Sequence, residues 1–174
     1  MRTLYLFIGL LFLGITTFGQ KKMTGFGGEL SVLSLKPTAR WWVSKNNGFD
    51  VFAGVSAEFE DLKPNDWEAG AKYLRSFIFK RTDRTYFGLM GKWKSLKLQE
   101  TSNTAKLPVF GVFVGKEWFT RRANKKGFAV ELGYMYGSTE YDVHNPVNNT
   151  VIAKKTYTEF PLLINLRYTF YKDR

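Results

Sequence analysis

Large apolar side chains recur at every second position along most of the chain after residue 20. In the clearest run, 159–170, one set of alternating positions is apolar and the other includes Glu159, Asn165 and Arg167. A period of two places successive side chains on opposite sides of a β-strand. The pattern therefore predicts strands, and no segment has the period of three to four residues that an amphipathic helix requires.

Eight such runs can be followed along the chain. The predicted strands cover residues 24–33, 38–44, 49–59, 71–80, 86–98, 110–118, 128–137 and 159–170. The phase of the fourth run is ambiguous; we place Arg75 on its polar side and Leu74 and Ile78 on its apolar side. The phase of the fifth run slips near Ser95.

The connections between these strands alternate in length. Short turns are predicted at 46–48, 82–84 and 121–127, and longer connections at 61–70, 100–106 and 138–155. The first connection, near Leu35, Lys36 and Pro37, is short and breaks the rule. An antiparallel meander with short turns at one end and long loops at the other is typical of outer-membrane barrels. The sequence thus predicts an all-β fold, a closed, eight-stranded, antiparallel up-and-down transmembrane β-barrel.

The polar positions indicate which face of the barrel is outside. A soluble carrier turns its apolar face inward, around a ligand, whereas a membrane barrel turns it to lipid. The predicted interior charges are Glu29, Arg40, Asp50, Glu58, Arg75, Lys92, Lys94, Glu117, Glu131, Glu159 and Arg167. Six acids and five bases nearly balance in a chain of net charge +11. Because buried charges need partners, this balance favours a closed polar interior over a soluble sandwich or carrier. We expect Arg167 to pair with Glu131 or Glu117, and Lys92 or Lys94 with Glu58 or Glu159.

The N-terminus has the three parts of a secretory signal. Arg2 precedes an apolar run at 4–15, and the small residues Thr17 and Gly19 precede a cleavage position. We predict a cleaved signal peptide at 1–19 and a barrel domain at 20–174. Export, together with strands that face lipid, predicts a bacterial outer membrane and argues against nucleic acid as a partner.

The sequence offers little material for catalysis. It contains no cysteine and a single histidine, His144, and no nucleotide-binding or metal-ligand motif, so no cofactor is expected. His144 lies near Ser138, Glu140 and Asp142, but proximity in a loop does not make a catalytic set. We predict that the protein is not an enzyme; an enzyme that modifies lipid A or phospholipid is the main catalytic alternative.

Basic residues cluster in the predicted turns and loops. The short turns carry Lys80, Arg81, Arg84, Arg121, Arg122, Lys125 and Lys126. Ordinary solvated turns explain these residues, but they can also attract phospholipid headgroups or an acidic partner. The long loops carry Lys63, Lys106, Lys154 and Lys155, which suit lipopolysaccharide phosphates equally well.

With its exported start, eight alternating strands and last strand from Phe160 to Phe170, the chain resembles the small outer-membrane barrels similar to OmpX and the OmpA transmembrane domain. The resemblance extends from about residue 24 to 171. It implies that Leu166, Tyr168 and Phe170 form an assembly signal for the barrel-insertion machinery. Here four residues follow Phe170, a departure from the family pattern. The implied role is structural or interactive, with loops presented outward or as a subunit with other outer-membrane proteins; a narrow pore is an alternative.

Overall fold

The computed structural model describes residues 23–31, 34–57, 64–80, 82–97, 104–120, 126–144 and 150–173. In this part of the chain no helix is long and apolar enough to span a membrane. The strands are β1 (Met23–Ser31), β2 (Ser34–Trp42), β3 (Asn47–Ala57), β4 (Pro64–Phe79), β5 (Asp83–Lys97), β6 (Thr104–Phe119), β7 (Lys126–Tyr136), β8 (Ser138–His144), β9 (Val151–Thr158) and β10 (Leu162–Asp173).

Eight of these described strands close into a barrel. Their order around the barrel is β1, β10, β7, β6, β5, β4, β3 and β2, and every pair is antiparallel. The first and last strands close it, in a register that extends from Met23 opposite Asp173 to Ser31 opposite Asn165. Closure leaves no unpaired barrel edge, which is the condition for placing a sheet in lipid. The predicted closed, eight-stranded, antiparallel barrel is confirmed.

The two ends of the barrel differ. The end that carries the connections 43–46, 80–82 and 120–125, together with the start of β1 and the end of β10, is here called the short-turn end. The opposite end is the long-loop end, where 58–63, 98–103 and the β8–β9 segment connect the strands.

A second, two-stranded sheet rises from the long-loop end. Strands β8 and β9 pair from Ser138 opposite Thr158 to His144 opposite Val151, and they cover most of the segment 138–155 that was predicted as the longest loop. At its base the Glu159 amide donates to the Gly137 carbonyl at 2.9 Å, and the Met135 amide donates to the Pro161 carbonyl at 2.8 Å. The hairpin is therefore hydrogen-bonded to the barrel wall.

The predicted first connection was wrong. Leu35, Lys36 and Pro37 lie inside β2, and the link from β1 is two residues, 32–33, which are outside the described part. The strand accommodates Pro37. Pro37 has no N–H, and the pairing of β2 with β3 is interrupted at Lys36 and Pro37 and resumes in the same register at Thr38.

Candidate functional site: an ionic interior within an apolar exterior

The outward positions of the barrel strands form an apolar belt. In β10, Leu162, Leu166 and Phe170 are exposed, whereas the alternating residues Asn165 and Arg167 are buried. Eight steps separate Leu162 from Phe170, or roughly 27 Å along a strand. A strand tilt of 35–45° reduces this to about 20 Å, which approaches the ~25 Å apolar band of outer-membrane barrels. The alternation predicted for this strand is confirmed, and its outward face has the dimensions of a lipid-facing surface.

Exposed aromatic side chains border this belt at both ends. Near the long-loop end they are Trp67, Trp93, Phe110, Tyr134, Tyr136 and Phe160. Near the short-turn end they are Phe26, Phe49, Phe77, Phe79, Trp118, Phe128, Tyr168 and Phe170. Two such girdles are characteristic of barrels that cross a membrane, because aromatic rings favour the interface between acyl chains and headgroups.

The interior is ionic, and Lys72 lies at its centre. The Lys72 ammonium donates to Glu29 Oε2 at 2.5 Å and to Glu131 Oε2 at 2.6 Å. Arg40 Nη2 donates to Glu131 Oε1 at 2.7 Å and to Asp50 Oδ2 at 3.0 Å. All five side chains are almost completely buried. They come from β1, β2, β3, β4 and β7, so their ion pairs connect strands across the barrel.

Arg167 extends this network from β10. Its Nη2 donates to Asp50 Oδ1 at 2.7 Å, its Nη1 also contacts the Asp50 carboxylate, and Glu29 lies 4.0 Å away. The predicted pairing of Arg167 with Glu131 or Glu117 was wrong, because Arg40 and Lys72 already satisfy Glu131. Arg40 also lies 3.5 Å from Glu117, which accepts a hydrogen bond from the Tyr171 hydroxyl.

A second group of charges continues the network toward the long-loop end. Lys36 lies 3.3 Å from Glu29 and 2.9 Å from Glu68. Lys92 lies 2.7 Å from Glu68 and 3.2 Å from Glu159, so it connects these two carboxylates. Glu159 also lies 3.3 Å from Lys94. The expected pairing of Lys92 or Lys94 with Glu159 is present, and one connected set of ion pairs extends from Arg167 to Lys94.

Near the short-turn end, aromatic rings replace carboxylates as the partners of a buried cation. The Arg84 guanidinium lies 3.7 Å from the centroid of the Trp42 ring and 4.5 Å from that of Phe79. Arg84 was expected in a basic turn, but it is the second residue of β5 and points inward with an exposed fraction of 2%. A guanidinium is more weakly hydrated than an ammonium and stacks on aromatic faces, so these rings can hold Arg84 without an ion pair within 4.0 Å among the described residues.

Among the described residues, the buried ionic side chains are six acids and seven bases. They are Glu29, Asp50, Glu68, Glu117, Glu131, Glu159, Lys36, Arg40, Lys72, Arg84, Lys92, Lys94 and Arg167. Each of the six acids has a cation within 4.0 Å. Such pairing is what a low-dielectric interior demands of its charges. The six carboxylates are therefore structural partners of the buried cations.

One cluster of acids has the spacing of a metal site. Oxygens of Glu29, Asp50 and Glu131 lie within 4.8 Å of one another, the one such group found in the described residues. Lys72 and Arg40 already bond to these carboxylates. Their positive charges occupy the positions that a metal ion would take, so the donor set does not fit a metal.

The predicted interior position of Arg75 and the predicted outward position of Leu74 were both wrong. Arg75 is exposed and donates to Asn47 Oδ1 at 2.6 Å, while Lys72 and Leu74 point into the barrel. Residues 72 and 75 are three apart and must lie on opposite faces, so either phase buries one cation. The phase that gives Lys72 two carboxylate partners is the one adopted. A register shift between Ser76 and Ile78 then turns Ile78 outward, as expected.

Nine of the other ten predicted interior residues lie inside the barrel. Glu29, Arg40, Asp50, Lys92, Lys94, Glu117, Glu131, Glu159 and Arg167 are buried in the barrel. Sequence analysis missed Lys36, Glu68, Lys72 and Arg84. Glu58, the side chain of His144 and the predicted signal peptide at 1–19 lie outside the described residues. Leu166, Tyr168 and Phe170 are exposed on β10, and their role as an assembly signal stays a prediction.

The fold and the distribution of charge define the class of protein. It is a small, closed barrel with an apolar exterior and an ionic interior, the inverse of a soluble carrier.

Two solved structures match the chain, and the first of them shares its fold. The chain is similar to the N-terminal β-barrel domain of Pseudomonas aeruginosa OprF, with a TM-score of 0.55 and 8% identity over 87% of this chain and 97% of that one. It also matches Neisserial surface protein A (NspA), with a TM-score of 0.43 and 14% identity over 86% of this chain and 94% of that one. No protein-family model and no curated protein sequence matches the chain. The fold is that of the small OmpA- and OmpX-like outer-membrane barrels.

Proposed function

We propose that this protein is an integral protein of a bacterial outer membrane, with a structural or interaction role, whose barrel holds the β8–β9 hairpin at the cell surface. The observation that carries the proposal is the inversion of the barrel. Exposed apolar side chains such as Leu89, Leu132 and Leu166 lie outside, whereas the paired charges lie inside. In water this arrangement would expose the apolar side chains and bury the charges, which is unfavourable. In a bilayer the apolar side chains contact acyl chains, which is favourable.

The filled interior favours an anchoring role over a pore. Residues of five strands meet around Lys72, Glu131 and Arg40, with donor–acceptor distances of 2.5–3.0 Å. Phe113, Tyr86 and Trp42 pack in the same interior. In an eight-stranded barrel such side chains fill the space that a channel would need.

The hairpin is the part of the long-loop end best suited to contact a partner. Two-stranded hairpins are marginal on their own, and this one is supported at its base. The Lys94 ammonium lies 5.7 Å from the centroid of the Tyr157 ring, and Tyr157 packs against the buried residues of the barrel. Beyond that base, Val151, Ala153 and Lys154 are exposed.

Membrane insertion and hairpin orientation can be tested on the same cells. An epitope tag placed in the hairpin segment 145–149 should be labelled on intact cells, and a tag in the short turn 121–125 should be labelled only after permeabilisation. The untagged protein should fractionate with the outer membrane, and its mobility on a gel should change on boiling. A soluble protein with unchanged mobility would refute the proposal, and labelling of the turn tag on intact cells would refute the orientation.

A further inference from the structure

Among the described residues, five exposed lysines lie at the short-turn end of the barrel. Lys116, Lys126 and Lys172 are exposed on the neighbouring strands β6, β7 and β10, and Lys45 and Lys80 are exposed beside the turns. Within the described residues, no carboxylate lies within 4.0 Å of any of these five ammonium groups. Of the described acidic side chains only Asp83 lies at this end outside the interior, and its Oδ2 accepts a hydrogen bond from the Thr82 hydroxyl.

Three of these lysines lie against aromatic rings of the girdle. The Nζ atoms of Lys116, Lys126 and Lys45 are 5.5, 5.7 and 5.9 Å from the ring centroids of Trp118, Phe170 and Phe79. The other cation–ring contacts of the described residues involve cations inside the barrel. Within the described residues, the exposed aromatic rings of the long-loop girdle take no part in these contacts.

The rings beneath these cations form a continuous surface across three strands. Trp118 and Phe128 stack with centroids 6.1 Å apart, and Tyr168 and Phe170 pack edge to face at 5.0 Å. Phe128 is opposite both Trp118 and Tyr168 in the strand registers, which joins the two pairs. A sector of the barrel therefore presents an apolar ring surface bordered by ammonium groups.

Lys116 shows the direction in which these cations extend. It lies two residues before Trp118 on β6, on the membrane side of that ring, yet its Nζ lies near the ring. A lysine within an apolar face lowers its free energy by extending toward the headgroup region. The ammonium group is thus brought to the depth at which phospholipid phosphates lie.

We propose that this sector, defined by Lys116, Lys126, Lys172 and the rings of Trp118, Phe128 and Phe170, is a binding surface for anionic phospholipid in the leaflet at the short-turn end. The ammonium groups bind the headgroup phosphate, and the rings contact the upper acyl chains. Within the described residues, the lysines without a carboxylate partner, the single outward acid at this end, Asp83, and the aromatic surface are the features that fit a negatively charged, amphipathic ligand. This inference rests on the proposed membrane location.

Spin-labelled lipids can measure the preference directly. The folded protein is inserted in phosphatidylcholine vesicles, and the association of labelled phosphatidylglycerol is compared with that of labelled phosphatidylcholine. We expect a selectivity of about threefold or more, given the attraction of each lysine to an anionic surface. It should fall toward equality at about 1 M salt, where the Debye length is about 3 Å.

Two matched double variants separate a local surface from general positive charge. K116Q/K126Q removes two lysines from the sector, and K106Q/K154Q removes two exposed lysines from the long-loop end. The first pair should lose most of the selectivity, and the second should keep it. Equal losses in the two pairs, or a wild type without selectivity, would overturn the inference while the gel-mobility shift still supported the barrel. Failure of the wild-type protein to insert would instead refute the proposed function.

Discussion

Replacing Lys72 with methionine tests whether the interior charges act as a dry, paired network. Lys72 bridges Glu29 at 2.5 Å and Glu131 at 2.6 Å, and all three side chains are buried. Methionine keeps most of the side-chain length but removes the charge and the donors. Removing one partner of a buried ion pair costs about 3–5 kcal/mol, because the remaining charge stays uncompensated.

The remaining contacts place the expected cost at the lower end of that range. Glu131 keeps Arg40 at 2.7 Å and the Tyr86 hydroxyl at 2.8 Å. Glu29 keeps Lys36 at 3.3 Å, and the Arg167 guanidinium lies 4.0 Å away. We therefore expect K72M to lower the free energy of unfolding by about 3 kcal/mol.

The double variant K72M/E29Q should be more stable than K72M alone. Glutamine removes the charge that has lost its closest partner, so the two changes should couple by about 1 kcal/mol or more. The assay is urea-induced unfolding in zwitterionic vesicles, followed by tryptophan fluorescence. Lys126→Met on the exposed surface is the control and should change stability by less than about 1 kcal/mol. A Lys72→Met effect no larger than that of this control would mean that the interior carboxylates are stabilised by water rather than by ion pairing.

Three further changes test the exterior, the packing and the catalytic alternative. Leu166→Arg, at the centre of the outward face of β10, should destabilise the barrel in vesicles by about 2–4 kcal/mol, and an unchanged urea midpoint would place that face in water. At Gly88 an added Cβ would lie 2.2 Å from the Phe113 ring, so Gly88→Val should cost about 1–3 kcal/mol and be partly rescued by Phe113→Val. Gly28→Ala is its control, since the nearest atom there is 4.0 Å away; an equal cost at both glycines would refute the packing argument. His144→Ala should leave the lipid A profile of cells unchanged by mass analysis, and a shift in acylation would identify an enzyme instead.

The number of barrel strands and the outward face could be predicted because lipid makes the same demand at every outward position. Between Phe128 and Tyr136 in β7 and between Leu162 and Phe170 in β10 the outward residues are apolar or aromatic, so the alternation is visible without knowledge of any neighbour. The hairpin β8–β9 was missed for the opposite reason. Glu140, Lys154 and Lys155 give it no apolar face, so its strands lack the pattern by which the others were recognised.

The interior could be predicted only in part, because an inward residue is specified by its partner rather than by a common solvent. From the sequence of β4 alone, Lys72 and Arg75 are equally good candidates for the interior position. Which of them is buried depends on Glu29 and Glu131, which are 43 and 59 residues from Lys72 along the chain. Arg84 depends in the same way on the ring of Trp42, a partner that charge counting does not include. A balanced set of charges therefore indicates that an ionic interior exists, but membership in that interior is decided by contacts between strands. The same reasoning explains why the exposed lysines of the short-turn end, which have no carboxylate partner among the described residues, are the cations of this barrel best placed to meet an external anion.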